Sequence, residues 1–104
     1  MPLYQTAHYQ VTPDGVDAVA TAIEEFVRYV AAHEPRTTMY AAWQAKGDPT
    51  RFVHLFEFAD EEAHRAHGAS EAVRAFEAVY QPVLADGPVR FTDYVLVARN
   101  NSAS

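Results

Sequence analysis

"TTMYAAWQAKGDPTRFVHLFEF", residues 37–58, holds two runs of β-forming residues, Thr37 to Ala45 and Arg51 to Phe58, around the link Lys46-Gly47-Asp48-Pro49-Thr50. A Gly- and Pro-bearing link of that length joins an antiparallel hairpin. The second run carries large apolar residues on both parities, with Phe52, Phe56 and Phe58 on one and Val53 and Leu55 on the other. Side chains alternate across a strand, so both of its faces are apolar. A later stretch repeats the pattern, with Phe91, Val95 and Val97 set against Tyr94 and Leu96. A solvated sheet face would be polar, so the second apolar face needs a cover of its own. A second copy of the same sheet supplies it, which predicts a homodimer packed sheet to sheet.

The flanking sequence completes the order of elements. Leu3 to Val11 reads as a strand that stops at Thr12-Pro13-Asp14-Gly15, where Asp14 is placed to cap a helix. From Val16 the apolar residues Val19, Ile23, Phe26, Val27 and Val30 recur at helical spacing, and Pro35 ends that helix near His33. After the hairpin, Asp60 and Ser70 are N-cap residues for two short helices, Glu61 to His67 and onward from Ser70, separated by Gly68 and stopped by Pro82. Asp86-Gly87-Pro88 then turns the chain into a last strand, Val89 to Ala98. The fold class is therefore α+β, a ferredoxin-like β-α-β-β-α-β plait with both helical layers on one sheet face. Residues 1–98 make one domain, and 99–104 read as a flexible polar tail.

Composition narrows the function. The chain has 104 residues, one core's worth, and no apolar run long enough to span a membrane. No secretory signal is visible at Met1 to Gln10, so a cytoplasmic location is expected. The absence of cysteine removes disulfides, thiolate metal sites and cysteine nucleophiles. A net charge of −6 with scattered Lys and Arg provides no basic stripe for nucleic acid. Nucleotide, flavin and serine-hydrolase motifs are likewise missing from the sequence.

The segment "RFVHLFEFADEEAHRAHGAS", residues 51–70, followed by "VRAF" and the late "VRFTDYVLVA", resembles the antibiotic biosynthesis monooxygenase (quinol monooxygenase-like) family of the dimeric α/β-barrel superfamily. The likeness extends over residues 3–98. It implies a cofactor-independent monooxygenase of small phenol- or hydroquinone-like compounds. A non-catalytic small-molecule binder on the same barrel, or a barrel that serves assembly alone, is the alternative. Many members carry a Glu two residues before an aromatic on the third strand, where this chain has Phe56 and Phe58; Glu57, one residue off, faces the other side. The haem-degrading branch uses a His near Phe76-Glu77-Ala78-Val79, where none stands here, so haem is not expected and no cofactor is assigned.

The resemblance places His67 at the recurrent His of the family, directed at the aromatic strand, where a neutral imidazole would take a proton from a phenol or hold its oxygen. A helix-end bond to a backbone carbonyl is the other reading. His54, the second catalytic candidate in support of His67, shares a parity with Phe52, Phe56 and Phe58, which puts it in the pocket, in a cross-strand hydrogen bond, or at the dimer seam. Tyr9, Tyr40, Trp43, Phe56, Phe58, Phe76, Tyr80 and Tyr94 are the candidates for binding an aromatic or hydrophobic ligand. His64, three residues before His67, lacks a third ligand to complete a metal site and is read as solvated. His33 is read the same way, and His8 is left on either face.

Overall fold

The computed structural model describes residues 1–100. Its four strands, β1 (Leu3–Val11), β2 (Thr37–Ala45), β3 (Asp48–Phe58) and β4 (Leu84–Tyr94), form one antiparallel sheet in the order β2-β3-β1-β4. Helices α1 (Val16–His33), α2 (Glu61–Gly68) and α3 (Glu71–Tyr80) cover one face, giving the ferredoxin-like plait. No helix among the described residues is long and apolar enough to cross a membrane.

Local chemistry sets most boundaries. Asp60 Oδ1 accepts from the Ala63 amide at 2.9 Å and Ser70 Oγ from the Val73 amide at 3.2 Å, so both expected caps start their helices. Asp14 does not cap: it sits in a 3₁₀ turn, Pro13–Gly15, and accepts from Thr12 Oγ1. Helix α1 starts at Gly15 without a side-chain cap. Its stability comes instead from Val19, Ile23, Phe26 and Val30, all buried against the sheet. A Cβ on Gly15 would stand 2.7 Å from Val83, a closeness that requires glycine there.

The last strand departs from the sequence reading. Strand β4 runs from Leu84 to Tyr94, not from Val89 to Ala98, and Asp86-Gly87 lies inside it as a bulge opposite the register shift between His8 and Gln10. Both residues have positive φ, 60° and 91°, a conformation that suits a turn and a bulge alike. As a result Val95, Leu96 and Val97 lie beyond the strand. Arg99, assigned to the tail, hydrogen-bonds Tyr4 Oη (3.1 Å) and Glu57 Oε1 (3.3 Å), while residues 101–104 of that tail lie outside the described part.

Register fixes the faces. Ala7, Tyr9 and Val11 of β1 and Phe52, His54, Phe56 and Phe58 of β3 point under the helices. The outward side is divided rather than uniformly apolar. Its β2–β3 half carries Met39, Ala41, Trp43, Val53 and Leu55, whereas its β1–β4 half carries Thr6, His8, Arg90 and Thr92. The inner core forms two clusters, one around Tyr9, Phe26, Phe52, Phe76 and Tyr80, the other Ala7, Phe56, Phe58 and Ala63.

Candidate functional site

A cavity of about 390 Å³ lies between sheet and helices, walled by members of both clusters together with Tyr40, His54 and His67. The sheet register makes the room. His54 stands across from Ala42 on β2 and Ala7 on β1, two side chains too small to fill the space above it. The larger residues sit one pleat away, Tyr9 beside Phe52 and Tyr40 beside Phe56.

Those tyrosines close diagonally on His54, which is 1% exposed. Tyr9 Oη lies 2.7 Å from Nε2 and Tyr40 Oη 2.6 Å from Nδ1. Cross-strand bonding and pocket membership, alternatives in the sequence, therefore hold together. Burial holds the imidazole neutral, pushing its pKa down to about 4. Burial likewise raises the Tyr9 phenol, helped by Tyr80, and the Tyr40 phenol, helped by Tyr9, Glu34 and Tyr80. All three groups are uncharged near neutrality.

His67, at the end of α2, meets the same cavity from the helix side. It bonds a side chain rather than a backbone carbonyl: Nδ1 lies 2.8 Å from Glu34 Oε1, just past the end of α1. A carboxylate only accepts, so Nδ1 carries the hydrogen, and in the neutral ring Nε2 is the bare nitrogen. The ring stacks on Phe26 at 5.5 Å and lies near Phe56 at 5.4 Å. Glu34 is fixed in turn by Thr37 Oγ1 at 2.9 Å, while its Oε2 is buried without a partner among the described residues.

Of the predicted ligand-binding residues, Tyr9, Tyr40, Phe56, Phe76 and Tyr80 line the cavity. Three do not. Trp43 pairs with Val53 on the outward parity and is half-exposed, and Tyr94 pairs with Tyr4 on that same side. Phe58 has the inward parity but is fully buried at the sheet end, packed in a cluster with Ala63 and beside His64. His64 is not simply solvated, since it rests on Phe58 at 5.0 Å and reaches the cavity rim. Phe26 and Val73 also line the wall, although their helical spacing reads only as core. Glu57 faces outward toward Arg99; the carboxylate in the cavity wall is Glu77 of α3, while Glu34, which nothing in the sequence connects to His67, meets that histidine from outside the lining. Among the described residues no three His, Asp or Glu side chains group closely enough to hold a metal ion. What the arrangement offers is an imidazole, His67, whose Nε2 has no protein partner among the described residues, and phenolic hydroxyls, on a wall that is mostly apolar but also holds Gln5, His64 and Glu77.

The neutral, buried His54 has a measurable pH signature. As pH falls, the unfolded chain protonates this residue from about pH 6.5 while the folded chain resists until about pH 4. Stability is therefore full above pH 6.5, and this group removes about 3 kcal/mol of it between those limits. NMR of the imidazole carbons should find His54 still neutral at pH 5; a midpoint near pH 6.5 in the folded protein would contradict its enclosure.

Comparison with known proteins places this geometry. The family model for antibiotic biosynthesis monooxygenases matches residues 2–79, from β1 into α3. A candidate antibiotic biosynthesis monooxygenase from Bacteroides thetaiotaomicron is 14% identical and superposes with a TM-score of 0.87 over 99% of this chain and 96% of its own. Rv0793 from Mycobacterium tuberculosis is 16% identical, with a TM-score of 0.84 over 96% of this chain and 99% of its own. PA3566 from Pseudomonas aeruginosa is 20% identical, with a TM-score of 0.81 over 93% and 95% respectively. At such identities the likeness is one of fold, and no curated protein matches the chain. With the family model spanning three strands and most of the helical layer, the chain belongs to the antibiotic biosynthesis monooxygenase family.

Proposed function

We propose that the cavity is the active site of a cofactor-independent monooxygenase acting on a small phenolic ring, with His67 as the base. One observation carries this reading: His67 lines the cavity with Nδ1 committed to Glu34, which leaves Nε2 free to take a proton. A ring hydroxyl gives its proton to Nε2, and Glu34 stabilises the imidazolium that forms. The phenolate makes the ring electron-rich enough to react with dioxygen directly. One oxygen atom becomes a carbonyl on the ring carbon opposite the first oxygen. The other leaves as water with the hydrogen displaced from that carbon and the proton held on His67. The ring supplies all the electrons. Tyr9, Tyr40 and Tyr80 orient the substrate, while Phe56 and Phe76 flank its plane. The cavity volume is within the range of small-molecule sites, about 300–1,000 Å³.

A second reading, a binder without turnover, is favoured by one feature. Phe56 occupies the third-strand position at which the family resemblance leads to a carboxylate. Oxygen uptake with 1-naphthol and related naphthols separates the two. The monooxygenase predicts uptake that falls about 10²- to 10⁴-fold in His67→Ala, and by a smaller factor in Glu34→Gln, with the fold retained. Undiminished turnover in His67→Ala excludes that residue as the base. A wild-type protein that consumes no oxygen yet melts higher with naphthol is a binder.

We further infer that the protein is a homodimer packed sheet to sheet through the β2–β3 half of the outward face. Trp43 there is 52% exposed, Met39, Ala41, Val53 and Leu55 share its face, and Val95 and Val97, which follow β4 at the other edge of the sheet, are also uncovered. Sedimentation equilibrium should give a dimer that Trp43→Asp weakens at least tenfold; a wild-type chain that stays monomeric at tens of micromolar would refute it.

A further inference from the structure

The Tyr9–His54–Tyr40 chain has a proton count that the oxidation above leaves unused. Each hydroxyl carries one hydrogen and the neutral imidazole carries one. Two contacts, at Nε2 and at Nδ1, take one hydrogen each. At the protonated nitrogen the ring donates and the tyrosine oxygen accepts; at the bare nitrogen the tyrosine donates. One tyrosine therefore always keeps a hydrogen that His54 does not take, and neither hydroxyl has another protein partner among the described residues. Both tyrosines line the cavity, so the spare hydrogen is available to water in the empty cavity and to an acceptor on a bound ligand. Exchanging the ring tautomer moves the spare hydrogen from one tyrosine to the other without any change in charge. The other hydroxyl then shows the cavity only lone pairs.

We propose that Tyr9, His54 and Tyr40 form a switchable single-donor site, which holds ring ligands presenting one acceptor oxygen, a phenolate or an aryl ketone, and offers no second donor to those presenting two. The proposal rests on the cavity being the ligand site, as in the function inferred above. It also gives that reaction a direction. The phenolate formed by His67 finds the spare hydrogen, wherever along the chain its oxygen lies. A departing para-quinone presents a second carbonyl oxygen that these hydroxyls cannot satisfy, which favours its release. Burial of the Tyr9–His54–Tyr40 chain at the floor strengthens the discrimination, because an acceptor facing only lone pairs there gains no hydrogen bond from it.

Tyr80, Gln5 and His64 carry the other donors on the wall outside His67, so the test removes them first. In the chain carrying Tyr80→Phe, Gln5→Leu and His64→Phe, calorimetry under argon compares three probes of the same two-ring outline: tetralin with no oxygen, 1-tetralone with one carbonyl, and 1,4-naphthoquinone with two. None has a hydroxyl for His67 to deprotonate, so oxygenation plays no part. The site predicts that 1-tetralone binds at least tenfold tighter than tetralin and that 1,4-naphthoquinone binds no tighter than 1-tetralone. Adding Tyr9→Phe or Tyr40→Phe alone should keep the tenfold preference, because the ring hands its hydrogen to whichever tyrosine remains; adding both should reduce it to within about twofold. A quinone that binds tighter than the ketone overturns the proposal, and so does a single Tyr→Phe change that abolishes the preference. The comparison of three probes needs no change at Tyr9 or Tyr40, so it stands even where those variants do not fold. Binding of none of the probes refutes the cavity as a ligand site, whereas binding with the predicted ranking but no oxygen uptake from naphthols refutes the oxidation alone.

Discussion

An imidazole can be buried in the middle of an apolar sheet face only where both of its nitrogens find partners, because each one left bare costs about 1–3 kcal/mol. His54 meets that condition through Tyr9 on one neighbouring strand and Tyr40 on the other. The condition reaches across the sheet. It needs β3 between β1 and β2, and it needs small residues directly across from His54 so that the tyrosines can close diagonally. Ala7 and Ala42 satisfy the second requirement, and the volume they leave is the floor of the cavity. Polar satisfaction of one histidine and the existence of a ligand-sized space are thus a single arrangement.

The opposite wall depends on two helix ends. Glu34 follows the last turn of α1 and His67 closes α2, and the two meet at 2.8 Å beneath Phe26 and Phe56. The pair gives the cavity a histidine of different character from His54. One imidazole has both nitrogens occupied and is held neutral; the other has one nitrogen fixed by a carboxylate and one available. Two histidines of the same intrinsic basicity are thus set apart by their neighbours, one with both nitrogens engaged and the other with one nitrogen free of protein partners among the described residues.

The sequence made much of this legible, for identifiable reasons. β1 from Leu3 to Val11, α1 to His33 and both short helices follow from alternation, helical spacing and the caps at Asp60 and Ser70. β4 was less accessible, because Asp86-Gly87 adopts the positive φ of a turn while remaining within the strand, where only the pairing with β1 shows the bulge. The inward side of β1 was readable in principle, since Leu3, Ala7, Tyr9 and Val11 share a parity against Tyr4, Thr6, His8 and Gln10. β2 offers no such contrast: Tyr40 and Ala42 alternate with Met39, Ala41 and Trp43, and only the register with β3 turns Tyr40 inward and Trp43 outward. The partnership of Glu34 with His67 spans 33 positions and leaves no local trace.

The central claim is that this pocket, bounded by a neutral His54 and a Glu34-oriented His67, receives a flat oxygen-bearing ring. A crystal structure with 1-naphthol tests it most directly, soaked without oxygen so that the ligand persists. The account predicts the ring lying between Phe56 and Phe76 with its oxygen within hydrogen-bond distance of His67 Nε2. A naphthol seated on the outward sheet face, or a cavity closed by its own side chains with no ligand inside, would contradict it.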